Sequence, residues 1–189
     1  MSAALANRPA TLDDLMREPG KAELIGGKIV RFMATGDIPS QASGAIYFSL
    51  RLYLRSTGLP GLVVTDNAGF ACNLPHRKSF SPDASYYTGP RAGMRFYPQP
   101  PVFAVEIRSE NDYGPQAERE MRDKRTDYFA AGTEVVWDVD LQGEDAVIRK
   151  FSASHGPDLP VAVFSRTEIA DAEPAVPGWQ LPVEELFVP

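Results

Sequence analysis

Cysteine is nearly missing from this chain of 189 residues: Cys72 stands alone, so no intramolecular disulfide can staple the fold, and a reducing compartment is expected. Histidine is as scarce. His76 and His155 are too isolated to serve Ser81 or Ser109 as a catalytic base or to gather a zinc site. No apolar run approaches the roughly 20 residues that cross a bilayer, and the opening nine residues lack a cationic start followed by an apolar block. A cytoplasmic protein with no membrane partner is therefore expected. Positive charge is also short. Lys and Arg number 19 against 25 Asp and Glu, and the net charge of -6 lacks the electrostatic footprint of a strong DNA-binding module. That deficit does not exclude a nuclease, because acids gathered in a metal site are neutralised by cations when the substrate arrives. Repeats, low-complexity tracts, linkers and composition breaks are all lacking, so residues 1–189 read as a single domain. Apolar residues make up 43% of it, enough for one substantial core.

What is present is patterning. Thr11-Leu-Asp-Asp14 reads as a capping box opening a short helix. Ala22-Glu-Leu-Ile and Lys28-Ile-Val-Arg-Phe face each other across Gly26-Gly27, a two-residue hairpin turn whose glycines can take positive φ. Ile46, Leu50, Tyr53 and Leu54 recur at helical spacing up to Gly58 and predict a second helix over 41–56. Strands are predicted over 61–65 and 69–72, and 77–100 reads as loop around a short segment at 84–87. The apolar run 101–107 reads as a buried strand, 115–131 as a helix stopped by Gly132, and 134–140 and 146–151 as two further strands. A last strand is expected over 161–164 and a short closing segment over 183–186. The order αββαβββαββ predicts an α/β fold with a mixed sheet flanked by helices, preceded by an N-terminal helix and β-hairpin.

One position contradicts its surroundings. At about 100° per residue, Ala117, Met121, Tyr128 and Ala131 share a narrow stripe, and Lys124 falls inside it. A cation on a core-facing stripe is costly unless an anion or a wet cavity receives it. Two acids stand upstream: Glu106 interrupts the apolar strand, and Asp83 follows Pro82 at the entrance to the 84–87 segment. Alternation puts Val102, Ala104, Glu106 and Arg108 on one face of the strand. Hydrolysis of a phosphodiester needs a hard cation, and Mg²⁺ typically takes one or two carboxylates plus waters and substrate oxygens. Asp83 and Glu106 can supply that pair, while Arg108 or Lys124 can stabilise developing phosphorane charge. Taken singly these residues have plainer readings: Asp83 as turn chemistry, Glu106 ion-paired to Arg108, and Lys124 lying along the stripe with its ammonium lifted to water. Trp137 reads as core, and Glu118 with Arg122, like Glu120 with Lys124, reads as an i,i+4 pair.

Pro82-Asp83, Val105-Glu106-Ile107-Arg108-Ser109, Lys124 with Tyr128 and Gly132, and Trp137-Asp138-Val139-Asp140 together resemble the Uma-two family of endonucleases, within the restriction-endonuclease-like PD-(D/E)XK fold. The likeness extends to the hairpin Ala22-Glu-Leu-Ile-Gly-Gly-Lys28 and to Pro177-Gly178-Trp179 near the C-terminus, nearly the whole chain. The resemblance implies a restriction-endonuclease-like core with Asp83 and Glu106 as metal ligands for Mg²⁺ or Mn²⁺. It implies Lys124 as the basic catalytic residue, Arg108 in support, and Glu23 at the margin of the site. Nucleic acid, most simply DNA, is the implied substrate, and cutting both strands of a duplex favours a homodimer. The chain departs from the family at Gly26, at Gln41 and in having Arg108 where the motif carries lysine. Those departures keep a second reading open, a catalytically silent binding or regulatory module. A third, a glycosidase using the carboxylate pair, would need a sugar-sized cleft lined by Tyr86, Tyr87, Phe96 and Tyr97.

Overall fold

The computed structural model describes residues 8–143, 145 and 147–187. Residues 1–7 of the opening stretch lie outside the described residues, as do Glu144 in the predicted turn and Ala146 at the start of the strand predicted there.

Thr11 caps α1 (Leu12–Leu15) through a reciprocal box: its hydroxyl accepts from Asp14 N, and the Asp14 carboxylate accepts from Thr11 N. β1 (Ala22–Ile25) and β2 (Lys28–Arg31) pair antiparallel, and Gly26 and Gly27 between them take φ of 57° and 72°. Those left-handed values are what a type I′ turn requires and what a Cβ would strain. α2 (Asp37–Thr57) starts four residues ahead of Gln41 because Pro39 falls in its first turn, where the missing N–H has no intrahelical partner to lose. It stops on Gly58, and its buried stripe is Ala42, Ile46, Leu50 and Leu54.

There follow β3 (Leu62–Thr65), β4 (Phe70–Ala71), β5 (Ser79–Phe80), β6 (Ala84–Tyr87), β7 (Phe103–Ile107), α3 (Pro115–Ala131), β8 (Val135–Val139), β9 (Ile148–Ser152), β10 (Ala162–Phe164), β11 (Ile169–Asp171) and β12 (Gln180–Pro182). The closing segment at Val183–Leu186 is a 3-10 turn. Among these, β5, β11 and β12 correspond to no segment predicted from the sequence. At two or three residues each they hold too little alternation to register as strands, and pairing partners create them: β5 with β4, β11 with β12.

Six strands form a mixed sheet in the order β10-β9-β8-β7-β6-β3. β7 and β8 run parallel with α3 as their crossover, and the other pairs are antiparallel. Phe103, Val105 and Ile107 face α2 together with Val135, Trp137, Val139 and Trp179. Trp137 is fully buried and stacks on Trp179 at 5.1 Å, the core role predicted for it. Ala104 and Val136 face the other way, against Phe70, Phe80, Tyr87 and Tyr128 of α3. Glu106 therefore projects from a central strand into the layer that α3 covers.

Candidate active site

Asp83 extends the β6–β7 pairing by one residue: its N–H donates to Val105 O at 2.9 Å, and its Oδ2 accepts from Ile107 N at 2.7 Å. Its carboxylate is thereby pinned to the peptide that follows Glu106. The packing of α3 over the sheet brings Lys124 and Tyr128, one helical turn apart, onto that same glutamate. Lys124 Nζ lies 2.8 Å from Glu106 Oε2, and the Tyr128 hydroxyl donates to Oε1 at 2.6 Å. The stripe read from the sequence is the one observed, with Ala117, Met121, Lys124 and Ala131 half-buried and Tyr128 fully so.

The N-terminal hairpin closes the site from the other side. Lys78 N donates to Leu24 O and Gly26 N to His76 O, which docks β1 beside β5. Glu23, 1% exposed, is carried into the interior, where its carboxylate accepts from Ser81 N at 3.0 Å and meets Lys124 at 3.1 Å and Arg77. Arg77 also reaches Asp127 at 2.6 Å and lies over the ring of Phe80, and His76 shares Asp127. Lys21 places its ammonium 2.5 Å from Asp83 and 2.6 Å from Asp66. Three carboxylates, Glu23, Asp83 and Glu106, thus converge on three cations, Lys21, Arg77 and Lys124, along a cleft of about 1010 Å³.

Burial and neighbours set the charges. Burial raises the Glu106 carboxyl, Lys124 opposes that rise, and the charges of Asp83 and Glu23 add to it. Burial would also raise Glu23, but the charges of Lys124 and Arg77 outweigh it and hold that group below the usual range. For Lys124 burial works downward, yet Glu106 and Glu23 overcome it and fix the ammonium in its charged form. Lys21 is raised on the same balance, with Asp83 and Glu106 as the anions. Burial holds the Tyr128 hydroxyl protonated well past its ordinary range.

Of the four residues singled out in the sequence, Lys124 and Glu106 meet directly, and Asp83 lines the same cleft with its carboxylate held on the Ile107 peptide N–H. Arg108 lines the same cleft, but its guanidinium is closed on others: Nε and Nη2 grip Asp138 at 2.7 and 2.8 Å, and Nη1 reaches Glu118. The ion pair read between Arg108 and Glu106 gives way to this one because Arg108 lies just past the end of β7 at Ile107, within reach of Asp138, the β8 residue paired in register with Glu106. Arg122 likewise turns from Glu118 to Asp158 at 2.5 Å, and Glu120 accepts from Gln116. Tyr86, Tyr87, Phe96 and Tyr97 are absent from the described residues lining the cleft. Tyr87 and Tyr97 are packed with Phe70, so the glycosidase reading loses its aromatic platform.

The sequence underrated the rest of the cluster. Glu23 sits in Ala-Glu-Leu-Ile, an acid in a buried strand, and carries the same signal that betrayed Glu106. Lys21, Arg77, Asp66 and Asp127 carry no such signal, since only contacts between segments far apart in the sequence make them neighbours. Among the described residues no group of three or more His, Cys, Asp or Glu forms a ready metal cage. Asp83 and Glu106 still offer hard oxygen donors side by side, which suits a cation that keeps most of its waters.

The sequence profile of the Uma2 family, described as "Putative restriction endonuclease", matches residues 9–184. A solved structure described as a "putative nuclease belonging to DUF820 from Anabaena variabilis ATCC 29413" is similar over 95% of this chain and 98% of its own, with a TM-score of 0.70 at 18% identity. The shared feature at that identity is the fold, a mixed sheet flanked by helices. Comparison with curated proteins finds no match.

Proposed function

The chain belongs to the Uma2 family, described as putative restriction endonucleases, and from that premise we propose that it is a metal-dependent endonuclease hydrolysing phosphodiester bonds of DNA in the cytoplasm. The observation that carries this reading is the convergence of Lys124, Glu106 and Asp83: the ammonium holds one carboxylate, and the next peptide of the same strand holds the other.

Asp83 and Glu106 would hold Mg²⁺ or Mn²⁺, which supplies charge neutralisation at the phosphate and a more acidic water. The side chains around them do the positioning. Tyr128 and Lys124 fix both oxygens of Glu106, while Lys21 and the Ile107 peptide fix those of Asp83. Arg77 shares the charge of Glu23, so Lys124 keeps positive character for the phosphoryl oxygens as negative charge builds on them. Paired with Glu106 and Glu23, Lys124 is placed as a cation that orients water and stabilises charge. Arg108 supports from behind by tying β7, β8 and α3 together.

The test is cleavage of labelled DNA and RNA by purified protein in Mg²⁺ and Mn²⁺, repeated with Asp83→Asn and Lys124→Ala. Activity should vanish with a chelator and in both variants; equal activity in all three proteins overturns the reading. The silent-module alternative draws support from the lysines that already neutralise Asp83 and Glu106. Calorimetric titration with Mn²⁺ separates the two, since a silent module has no need to bind the ion. A homodimer would let two clefts cut both strands of a duplex, and sedimentation tests it.

A further inference from the structure

The lining of the cleft combines two unlike sets of side chains. Among its described lining residues are nine acids, Asp83 and Glu106 with them, and only five bases. All five bases are already engaged: Lys21 with Asp83 and Asp66, Arg77 with Glu23 and Asp127, Arg108 with Asp138 and Glu118, Lys124 with Glu106 and Glu23, and Arg125 with Asp138. Duplex DNA presents one charge for about every 1.7 Å of axis, and a separated strand half that density. Apart from Lys124 at the reacting phosphate, the cations of this acid-rich cleft are committed to acids, so an entering polyanion is repelled in proportion to its charge density, and a bound divalent ion offsets this only locally. Most of the affinity must then come from something other than phosphate contacts.

Exposed aromatic rings in the lining provide it. Phe32 is 41% exposed just beyond β2, and its ring centre lies 5.7 Å from Lys124 Nζ. Tyr113 is 37% exposed just ahead of α3, and its ring centre lies 5.8 Å from the Arg108 guanidinium carbon. Neither ring hangs loose. Phe32 N donates to Lys21 O at 3.0 Å, and the Tyr113 hydroxyl donates to Asp140 at 2.9 Å. Met33 and Ile38, 85% and 59% exposed, widen the apolar surface beside Phe32. An exposed ring within one nucleotide's reach of the ammonium at the reacting centre is placed for a base whose phosphate lies at Lys124. A paired base cannot use it, because its faces are covered by its neighbours in the stack.

Resting on the nuclease reading, and narrowing its substrate, we infer that Phe32 and Tyr113 are stacking platforms for unpaired nucleobases and that this cleft takes a single DNA strand. A protein partner on the same surface would seal the reacting groups from substrate, which disfavours a docking role.

The experiment measures binding of oligothymidylate and of a duplex of equal length in Ca²⁺, a hard cation in place of Mg²⁺, alongside cleavage of both in Mg²⁺ and Mn²⁺. The single strand should bind at least tenfold tighter. Its log–log salt slope should be shallower than about -2, the value for three phosphate contacts to a single strand. Phe32→Ala and Tyr113→Ala should each weaken it about five- to 150-fold, the range of one stacked base, and Phe32→Tyr should restore it. Trp137 and Trp179 are both buried, so Phe32→Trp adds the exposed indole, whose emission the oligonucleotide should quench. Equal or tighter duplex binding, variants that bind like the parent, or a dimer that Phe32→Ala dissociates without changing DNA affinity would each overturn the inference. Cleavage of duplex in preference to single strand sinks this inference and leaves the nuclease reading standing. Binding of single strands through Phe32 with no cleavage in either Mg²⁺ or Mn²⁺ does the reverse.

Discussion

Tyr128 donates its hydroxyl to Glu106 Oε1 at 2.6 Å, leaving Oε2 to Lys124 at 2.8 Å. One carboxylate is thus gripped from two successive turns of α3. Replacing Tyr128 by Phe keeps the ring stacked on Phe80 and deletes only the grip on Oε1. The expected loss is about 1.5–3 kcal/mol, the worth of a hydrogen bond to a charged group, read by urea denaturation. On the nuclease proposal, cleavage should fall by about tenfold at saturating substrate, as one of the two constraints on a carboxylate proposed to hold the metal ion is lost.

Lys124→Met leaves buried Glu23 and half-buried Glu106 without their shared cation. Unfolding free energy should drop by about 3–5 kcal/mol, the usual cost of stranding a buried charge. Adding Glu106→Gln to that variant should recover part of the loss, and a double-mutant cycle on melting curves measures the coupling. A simple sum of the two single losses would mean that the pair is not coupled.

The alkaline limb of stability follows from the same contacts. Lys124 and Lys21 are raised above an ordinary value of 10.5, and Tyr128 well above 10.0. Each therefore keeps its proton in the folded state after the unfolded chain has released it. Their stabilisation is complete below about pH 10 and is lost as pH rises past the unfolded values toward the folded ones. Thermal melting should show the midpoint falling from pH 10 upward, less steeply in Lys124→Met.

Arg108 distinguishes charge from shape. Arg108→Lys preserves the charge but not the two-pronged grip on Asp138, and it should cost about 2 kcal/mol. Glu118, on the same guanidinium, has a half-exposed side chain, so Glu118→Gln should cost less than about 1 kcal/mol. Equal losses in the two variants would place the weight of the interaction on the helix rather than on β8.

Lys21 and a divalent cation would compete for Asp83. Lys21→Met should therefore raise Mn²⁺ affinity, by about tenfold if the ammonium contributes roughly 1.4 kcal/mol of competition. Calorimetric titration reads it directly; unchanged affinity would mean that the cation approaches Asp83 from a side the lysine does not guard.

Much of this architecture was legible before any coordinates, because it rests on local rules. The Thr11 capping box, the Gly26-Gly27 turn, the α2 stripe ending at Gly58 and the lysine misplaced on the α3 stripe are all written in neighbouring residues. Alternation correctly set Glu106 apart from Phe103, Val105 and Ile107. Pairing partners were less legible. Arg108 looked bound for Glu106 and went to Asp138, since the choice depends on where β7 stops and how β8 lies beside it. Lys21 and Arg77 join the site through the docking of β1 on β5, a contact between segments more than 50 residues apart that no periodicity announces.

Glu23 leaves the ribosome about 100 residues before Lys124, an interval of roughly 5–20 s at ordinary synthesis rates. Until α3 emerges, the hairpin cannot shed the water around its acid, for one of the two positive charges that compensate it does not yet exist. The ion pair that fastens the amino-terminal ribbon to the crossover helix can form only once that helix has been made.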